Sequence, residues 1–203
     1  MKALILVDIQ YDFTTGGNLE VKDGESIIPL VNRLQEQFEL VVATQDWHPS
    51  NHLSFASNHQ GRKPFETITL NGLEQRLWPD HCVQGTHGAE FHDALDMKRV
   101  AAIFRKGMDP SVDSYSGFYD NGRLHNTGLA GYLRDRGVTD VFVVGLAGDY
   151  CVYFTARDAL LEGFACTVIA DATRSISEDG FRQATSDLQS HGGVIIESRA
   201  LLP

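Results

Sequence analysis

Val141-Phe142-Val143-Val144-Gly145-Leu146-Ala147-Gly148-Asp149-Tyr150-Cys151 opens the stretch that decides the fold, and it runs on through Leu160-Leu161-Glu162-Gly163 to Ala165-Cys166-Thr167-Val168-Ile169-Ala170. Residues 141–145 and 165–170 are apolar at consecutive positions, without the polar alternation of a half-exposed strand. Such runs read as strands buried on both faces. Between them, residues 150–162 read as a helix, with Gly163 placed to end it in the left-handed conformation. Strand, helix and strand within so short a span make a βαβ unit, so the two strands are parallel.

The same alternation continues outward. Downstream, a helix over 178–190 ends at Gly192-Gly193 and leads to a strand over 194–197. Upstream, strands are predicted over 3–9, 40–44 and 100–104. A helix over 26–38 carries Ile27, Leu30, Val31, Leu34 and Phe38 at helical spacing, and a shorter one over 128–136 is closed by Gly137. The pattern predicts a three-layer α/β/α fold with a six-stranded, mainly parallel, Rossmann-like sheet, in one domain spanning 1–203. Residues from about 46 to 99 resist it. They show little periodicity and are rich in Pro, His, Asn and Gly, and so read as an irregular insert; a loop that long in a compact domain usually has a function. A second irregular stretch covers 105–126.

The 203 residues carry 17 Lys and Arg against 27 Asp and Glu, a net charge of −10. An acidic surface repels phosphate backbones and anionic lipid, which disfavours nucleic-acid and membrane-surface roles. The apolar N-terminal run is broken at Asp8, too short for a signal peptide. Three cysteines, Cys82, Cys151 and Cys166, are too few and too odd for a disulfide framework, which points to a reduced, cytoplasmic compartment.

In open parallel sheets ligands bind beyond the carboxyl ends of the strands. Here the first strand exits at Asp8, the second at Asp46 and His48, the third at Lys106, and the fourth into the Gly145–Cys151 turn. Cys151 sits at a predicted helix start, where backbone N–H groups favour a thiolate and a nucleophile. A lone cysteine is more often a small buried apolar residue, the reading given to Cys82 and Cys166. Asp8 is costly to bury unpaired, and Lys106 offers the partner. Asp46 and His48 project to one face of an extended chain, and His81, from the insert, completes a donor set suited to a borderline divalent ion. His52 is a further or outer ligand; His59, His87, His92, His125 and His191 read as surface residues.

These residues carry a resemblance. Leu6-Val7-Asp8-Ile9-Gln10, Gln45-Asp46-Trp47-His48-Pro49, Trp78-Pro79-Asp80-His81-Cys82-Val83, Phe104-Arg105-Lys106-Gly107, Asp113-Ser114-Tyr115-Ser116-Gly117-Phe118 and Gly145-Leu146-Ala147-Gly148-Asp149-Tyr150-Cys151 together resemble the nicotinamidases, also called pyrazinamidases, of the isochorismatase-like cysteine hydrolases. The resemblance spans nearly the whole chain and implies the isochorismatase-like hydrolase fold. It implies that Asp8, Lys106 and Cys151 form a catalytic triad. Asp46, His48 and His81 would hold one divalent metal, zinc first and manganese or iron(II) after it. The N–H groups of Ala147 and Cys151 would form an oxyanion hole beside a cis Leu146–Ala147 peptide. Phe13, Trp78, Tyr115, Leu146 and Tyr150 would contact the substrate. The implied reaction is hydrolysis of nicotinamide to nicotinate and ammonia through a cysteine thioester, as in NAD salvage, with pyrazinamide as a second substrate and a homo-oligomer compatible with it. Relatives acting on isochorismate or carbamoylated amines share the triad but generally lack the metal set, and a non-catalytic binding module would not need the triad. One departure stands out: Gly148 occupies a position where the family usually has Thr.

Overall fold

The computed structural model describes residues 1–202. Its main sheet has six strands in the order β5-β2-β1-β6-β7-β8. These are β1 (Lys2–Val7), β2 (Leu40–Asp46), β5 (Val100–Lys106), β6 (Asp140–Gly145), β7 (Ala165–Thr173) and β8 (Val194–Ile196). Every pairing within it is parallel. Helix α1 (Ile28–Leu34) covers one face; α2 (Leu129–Asp135), α3 (Tyr153–Leu161) and α4 (Glu178–Ser190) serve the other. The two-residue side-chain period of a strand explains why β1 is apolar throughout. Leu4 and Leu6 enter the core with α1, while Ala3, Ile5 and Val7 enter the core with α2 and α3.

From β1 the chain builds outward through β2 to β5, then returns to the opposite side of β1 with β6. The strand order therefore reverses between β1 and β6, and a ligand crevice belongs beyond their carboxyl ends. Gly145 makes that junction: its φ is 122°, and a Cβ there would overlap the Val7 carbonyl oxygen, so only glycine lets β6 close on β1.

Several elements differ from the expectation. The first strand stops at Val7 because Asp8 turns to φ 47° and the Gln10 N–H closes on its carbonyl at 2.8 Å. The helix expected over 26–38 is split into 3-10 turns at Gly24–Ile27 and Gln35–Gln37 flanking α1. The helix expected from residue 150 begins with a π-type turn, Gly148–Val152. β5 is an edge strand whose outward residues are open, with Ile103 48% exposed.

The insert is less irregular than its composition suggests. It contains an antiparallel hairpin, β3 (Thr67–Leu70) and β4 (Leu73–Arg76). Asn71 and Gly72 form its turn, both at positive φ, as a two-residue hairpin favours.

Candidate active site

The carboxyl edge of the sheet brings the three residues expected to act together within reach of one another. Lys106 Nζ lies 3.0 Å from Asp8 Oδ2, 2.9 Å from Asp46 Oδ1 and 3.5 Å from Cys151 Sγ, and it donates to the Ser114 carbonyl at 2.8 Å. All four side chains are buried. Asp8 Oδ1 accepts from the Thr44 hydroxyl at 2.6 Å, whereas Oδ2 has an ion-pair neighbour but no well-aligned hydrogen bond. That oxygen is free to accept a proton.

Burial dominates the electrostatics. It pushes the Cys151 thiol well above its usual pKa, with Lys106 pulling it back and Asp8 pushing it further. That direction favours the thiol, so the attacking thiolate has to form as a base takes the proton; Cys151 itself lies inside the π turn. Burial also raises Asp8, against the opposing charge of Lys106, which makes it a stronger base than an exposed carboxylate. For Lys106 burial favours the neutral amine, but Asp46 and Asp8 overcome it and hold the ammonium charged.

Asp46 links this group to a second one. Its Oδ2 lies 3.1 Å from His48 Nε2 and 3.4 Å from His81 Nε2. The opposite nitrogens are occupied: His48 Nδ1 pairs with the Gly107 carbonyl and His81 Nδ1 with the Pro79 carbonyl, each at 2.8 Å. With Nδ1 donating to a backbone carbonyl, each ring turns its Nε2 toward the Asp46 carboxylate, the orientation in which a bound metal would take the two Nε2 atoms as ligands. Burial would raise Asp46, but His48 and Lys106 outweigh it and keep the carboxylate ionised. These three residues offer ligand atoms all within 4.8 Å of one another. The chemistry of the donor set fits a divalent metal ion.

His52 belongs beside this set. With His48 and Asp113 it makes a second group of the same spacing. Its Nδ1 pairs with the Ser54 hydroxyl at 2.7 Å, and its buried Nε2 has no protein partner. Burial, with the nearby His48, lowers its pKa to about 4, so the ring is neutral; its Nδ1 also accepts from the Ser54 N–H at 3.1 Å, which leaves the ring proton on Nε2.

Both groups open onto one pocket. Its apolar walls are Phe13, Leu19, Trp78, Tyr115, Tyr150 and Ile176, and its polar lining is Asp46, His81, Asp113, Cys151 and Ala147. The rings of Trp78 and Tyr150 meet edge-on at 4.9 Å, and the Trp78 indole donates to the Tyr115 hydroxyl at 3.2 Å. Four of the five expected substrate contacts therefore line the pocket. Leu146 is not among the lining residues, and its side chain is fully buried in the core with α1. The Leu146–Ala147 peptide is cis, and the Ala147 amide donates no hydrogen bond among the described residues.

Sequence reasoning missed Leu19, Ile176 and Asp113 as lining residues. Asp113 opens the motif Asp113-Ser114-Tyr115 and was legible there; its carboxylate accepts from Gln75 Nε2 at 2.8 Å. Leu19 and Ile176 come from loops without any sequence signature.

Comparison with known proteins is consistent with this geometry. The family model described as "Isochorismatase domain" matches residues 2–200. A nicotinamidase of Acinetobacter baylyi is 50% identical over 201 residues, 98% of this chain and 94% of that protein. The solved structure of an Acinetobacter baumannii nicotinamidase/pyrazinamidase superposes with a TM-score of 0.97 at 50% identity, covering 99% of this chain and 98% of that one. The pyrazinamidase of Pyrococcus horikoshii in complex with zinc superposes with a TM-score of 0.81 at 39% identity, covering 97% and 98%.

Proposed function

The chain belongs to the isochorismatase-domain family, and from that premise we propose that it is a cysteine amidohydrolase that converts nicotinamide to nicotinate and ammonia. One observation carries the reading. A single buried ammonium, Lys106 Nζ, touches the base Asp8, lies 3.5 Å from the sulfur of Cys151, and bonds to Asp46 of the metal-ligand group. Nucleophile and metal group are thereby fixed side by side in one aromatic-walled pocket, as a flat heteroaromatic amide requires.

Asp8 Oδ2 takes the Cys151 proton, and the sulfur attacks the carboxamide carbon. The oxyanion forms at the N–H groups of Ala147 and Cys151; fixed donors of this kind are usually the largest electrostatic contribution in acyl transfer. The C–N bond breaks as Asp8 returns the proton to the departing ammonia, leaving an S-acyl thioester. Asp8 then draws a proton from water, whose oxygen attacks the thioester carbon. The C–S bond breaks, nicotinate leaves, and the sulfur recovers its proton. Lys106 remains charged throughout, holding Asp8 in place.

Asp46, His48 and His81 would hold the metal, with His52 beside them. Bound there, the ion supplies a Lewis-acid anchor for the ring nitrogen. A carboxylate with two imidazoles favours zinc. Phe13, Trp78, Tyr115 and Tyr150 enclose the ring, and the same slot suits pyrazinamide. The three cysteines are free thiols, which agrees with a reducing cytoplasm, and among the described residues no helix is long and apolar enough to cross a membrane.

The deciding experiment is ammonia release from nicotinamide by purified protein, with and without a chelator. Turnover that the chelator suppresses supports the reading. A protein that binds nicotinamide but releases no ammonia when metal-loaded overturns it.

A further inference from the structure

Gly148 stands between Ala147 and Cys151, the two residues assigned above to the oxyanion hole. It is buried, and its φ is not in the left-handed region, so conformation does not demand a glycine there. Space does. A Cβ on Gly148 would lie 2.8 Å from Phe181 Cδ2, 3.0 Å from Phe181 Cε2 and 2.9 Å from Thr173 Cγ2. The Phe181 ring is seated on the main chain of the turn.

Phe181 lies in the first turn of α4, and that end of the helix is bound to the same turn by other contacts. The Gly148 N–H donates to the Arg174 carbonyl at 2.7 Å. The Asp149 carboxylate accepts from the Ile176 and Ser177 amides at 3.0 and 2.9 Å. These polar contacts set how far the turn stands from the α4 entry, but none of them bears on the Gly148 Cα, which is the side the Phe181 ring covers.

We propose that Phe181 is a positioning residue for the oxyanion hole: its ring, interlocked with the bare Cα of Gly148, holds the Ala147 and Cys151 amides at the developing oxyanion. The inference rests on the amidohydrolase reading given above. An oxyanion exists only in the transition state and tetrahedral intermediate, so a loosened hole lowers kcat and leaves ground-state binding alone. Misplacing such donors by a fraction of an ångström to one ångström costs roughly 10- to 100-fold.

The test uses Phe181→Ala, Phe181→Leu, Gly148→Ala and the double variant G148A/F181A. Phe181→Ala should lower kcat for nicotinamide roughly 10- to 100-fold with KM within twofold. Nicotinaldehyde is the second readout. The Cys151 thiol adds across its carbonyl, forming an S–C bond while the C=O π pair takes the proton as a hydroxyl, so its affinity reports the hole. Its inhibition constant should rise in step with the loss of kcat, while nicotinate binds as before. Phe181→Leu, which keeps an apolar plug, should recover most of the activity. Gly148→Ala alone should be impaired by its clash with the ring and with Thr173 Cγ2, and the double variant should exceed it, because removing the ring relieves two of the three close approaches.

Four results would overturn the interlock: kcat for Phe181→Ala within twofold of wild type, equal weakening of nicotinaldehyde and nicotinate, no recovery in Phe181→Leu, or losses that multiply in the double variant. If Phe181→Ala does not fold, the Leu variant and the comparison of G148A with G148A/F181A decide the matter. A wild-type protein that releases no ammonia removes the amidohydrolase reading and this inference with it. An active wild type beside an unaffected Phe181→Ala removes the interlock alone.

Discussion

At the carboxyl edge of the sheet, functional residues are placed by strand register: Val7 pairs with Gly145, and Asp46 pairs with Lys106. Across the pocket, Trp78 and His81 lie in a segment outside the main sheet, touched by the isolated bridges Phe55–Trp78 and His48–Val83. That segment is moored by individual polar contacts. Asp12 Oδ2 accepts from the Cys82 N–H at 2.7 Å, and Gln10 Nε2 donates to the carbonyls of Asp46 and Ala89 at 2.8 and 2.9 Å. A sheet edge is cooperative, since moving one residue disturbs a whole ladder. A moored loop depends on a few bonds and on whatever the His81 imidazole grips. The bond-making chemistry is thus assigned to the cooperative half, and substrate positioning is shared with the half that single changes can loosen.

The largest effect should come from the sheet edge. Cys151→Ala should abolish turnover while thermal unfolding stays close to wild type. Cys166→Ala and Cys82→Ala should keep most of the activity, since neither lines the pocket. Preferential labelling of Cys166 by iodoacetamide, or residual amidase activity in Cys151→Ala, would break the assignment.

Next in size is the proton relay. Asp8→Asn should cost several orders of magnitude in kcat, because acylation and thioester hydrolysis both need a base at that oxygen. Lys106→Ala should be nearly as damaging, and the double variant little worse than either, as for residues acting as a unit. The pH profile adds a sign. Burial raises Asp8 above 3.8, so the ionised base is lost as pH falls through that raised value. The acid limb of kcat/KM should therefore lie above 3.8, and a limb at or below it would remove Asp8 from the role.

Chelation tests the shared half. Asp46 leaves a strand and His81 leaves the insert, so an ion bound by both ties the two together. Binding to the folded state alone stabilises it by mass action, and removal should lower the melting temperature as well as activity. If the ion anchors the ring nitrogen, chelation should hurt nicotinamide far more than benzamide, which has no such nitrogen. An equal fractional loss in kcat/KM for both amides would exclude the anchoring role.

The same division governed what could be read from sequence. Asp8, Asp46, Lys106 and Cys151 were legible because each follows an apolar strand, and a parallel sheet sends all strand exits to one edge. Edge position was not legible: Val100 to Phe104 reads as apolar, yet every second residue of β5 faces out. In the insert, His81 and Trp78 were found through a motif and not through periodicity, and the Asn71-Gly72 turn was a readable hairpin signal among short strands. Phe181 left no trace, since its role depends on which residue it faces across space.

The smallest expected effect concerns the mooring, and it separates the two halves most cleanly. Asp12 does not touch the pocket, but its carboxylate holds the Cys82 amide at 2.7 Å and the Asn18 amide at 3.1 Å, and Cys82 directly follows His81. Asp12→Ala removes the acceptor for a buried N–H and frees the segment that carries one metal ligand. Supports of this kind usually contribute 10- to 100-fold in metal affinity. The variant should therefore need about that much more zinc for half-maximal activity, while kcat at saturating zinc stays within a few-fold of wild type, because the register of β1, β2, β5 and β6 is untouched. Titration of metal-stripped protein with zinc, read by both activity and melting temperature, makes the measurement. A fall in kcat that saturating zinc does not restore would mean that the insert shapes the reacting groups themselves, and the division between a cooperative sheet edge and a moored loop would fail.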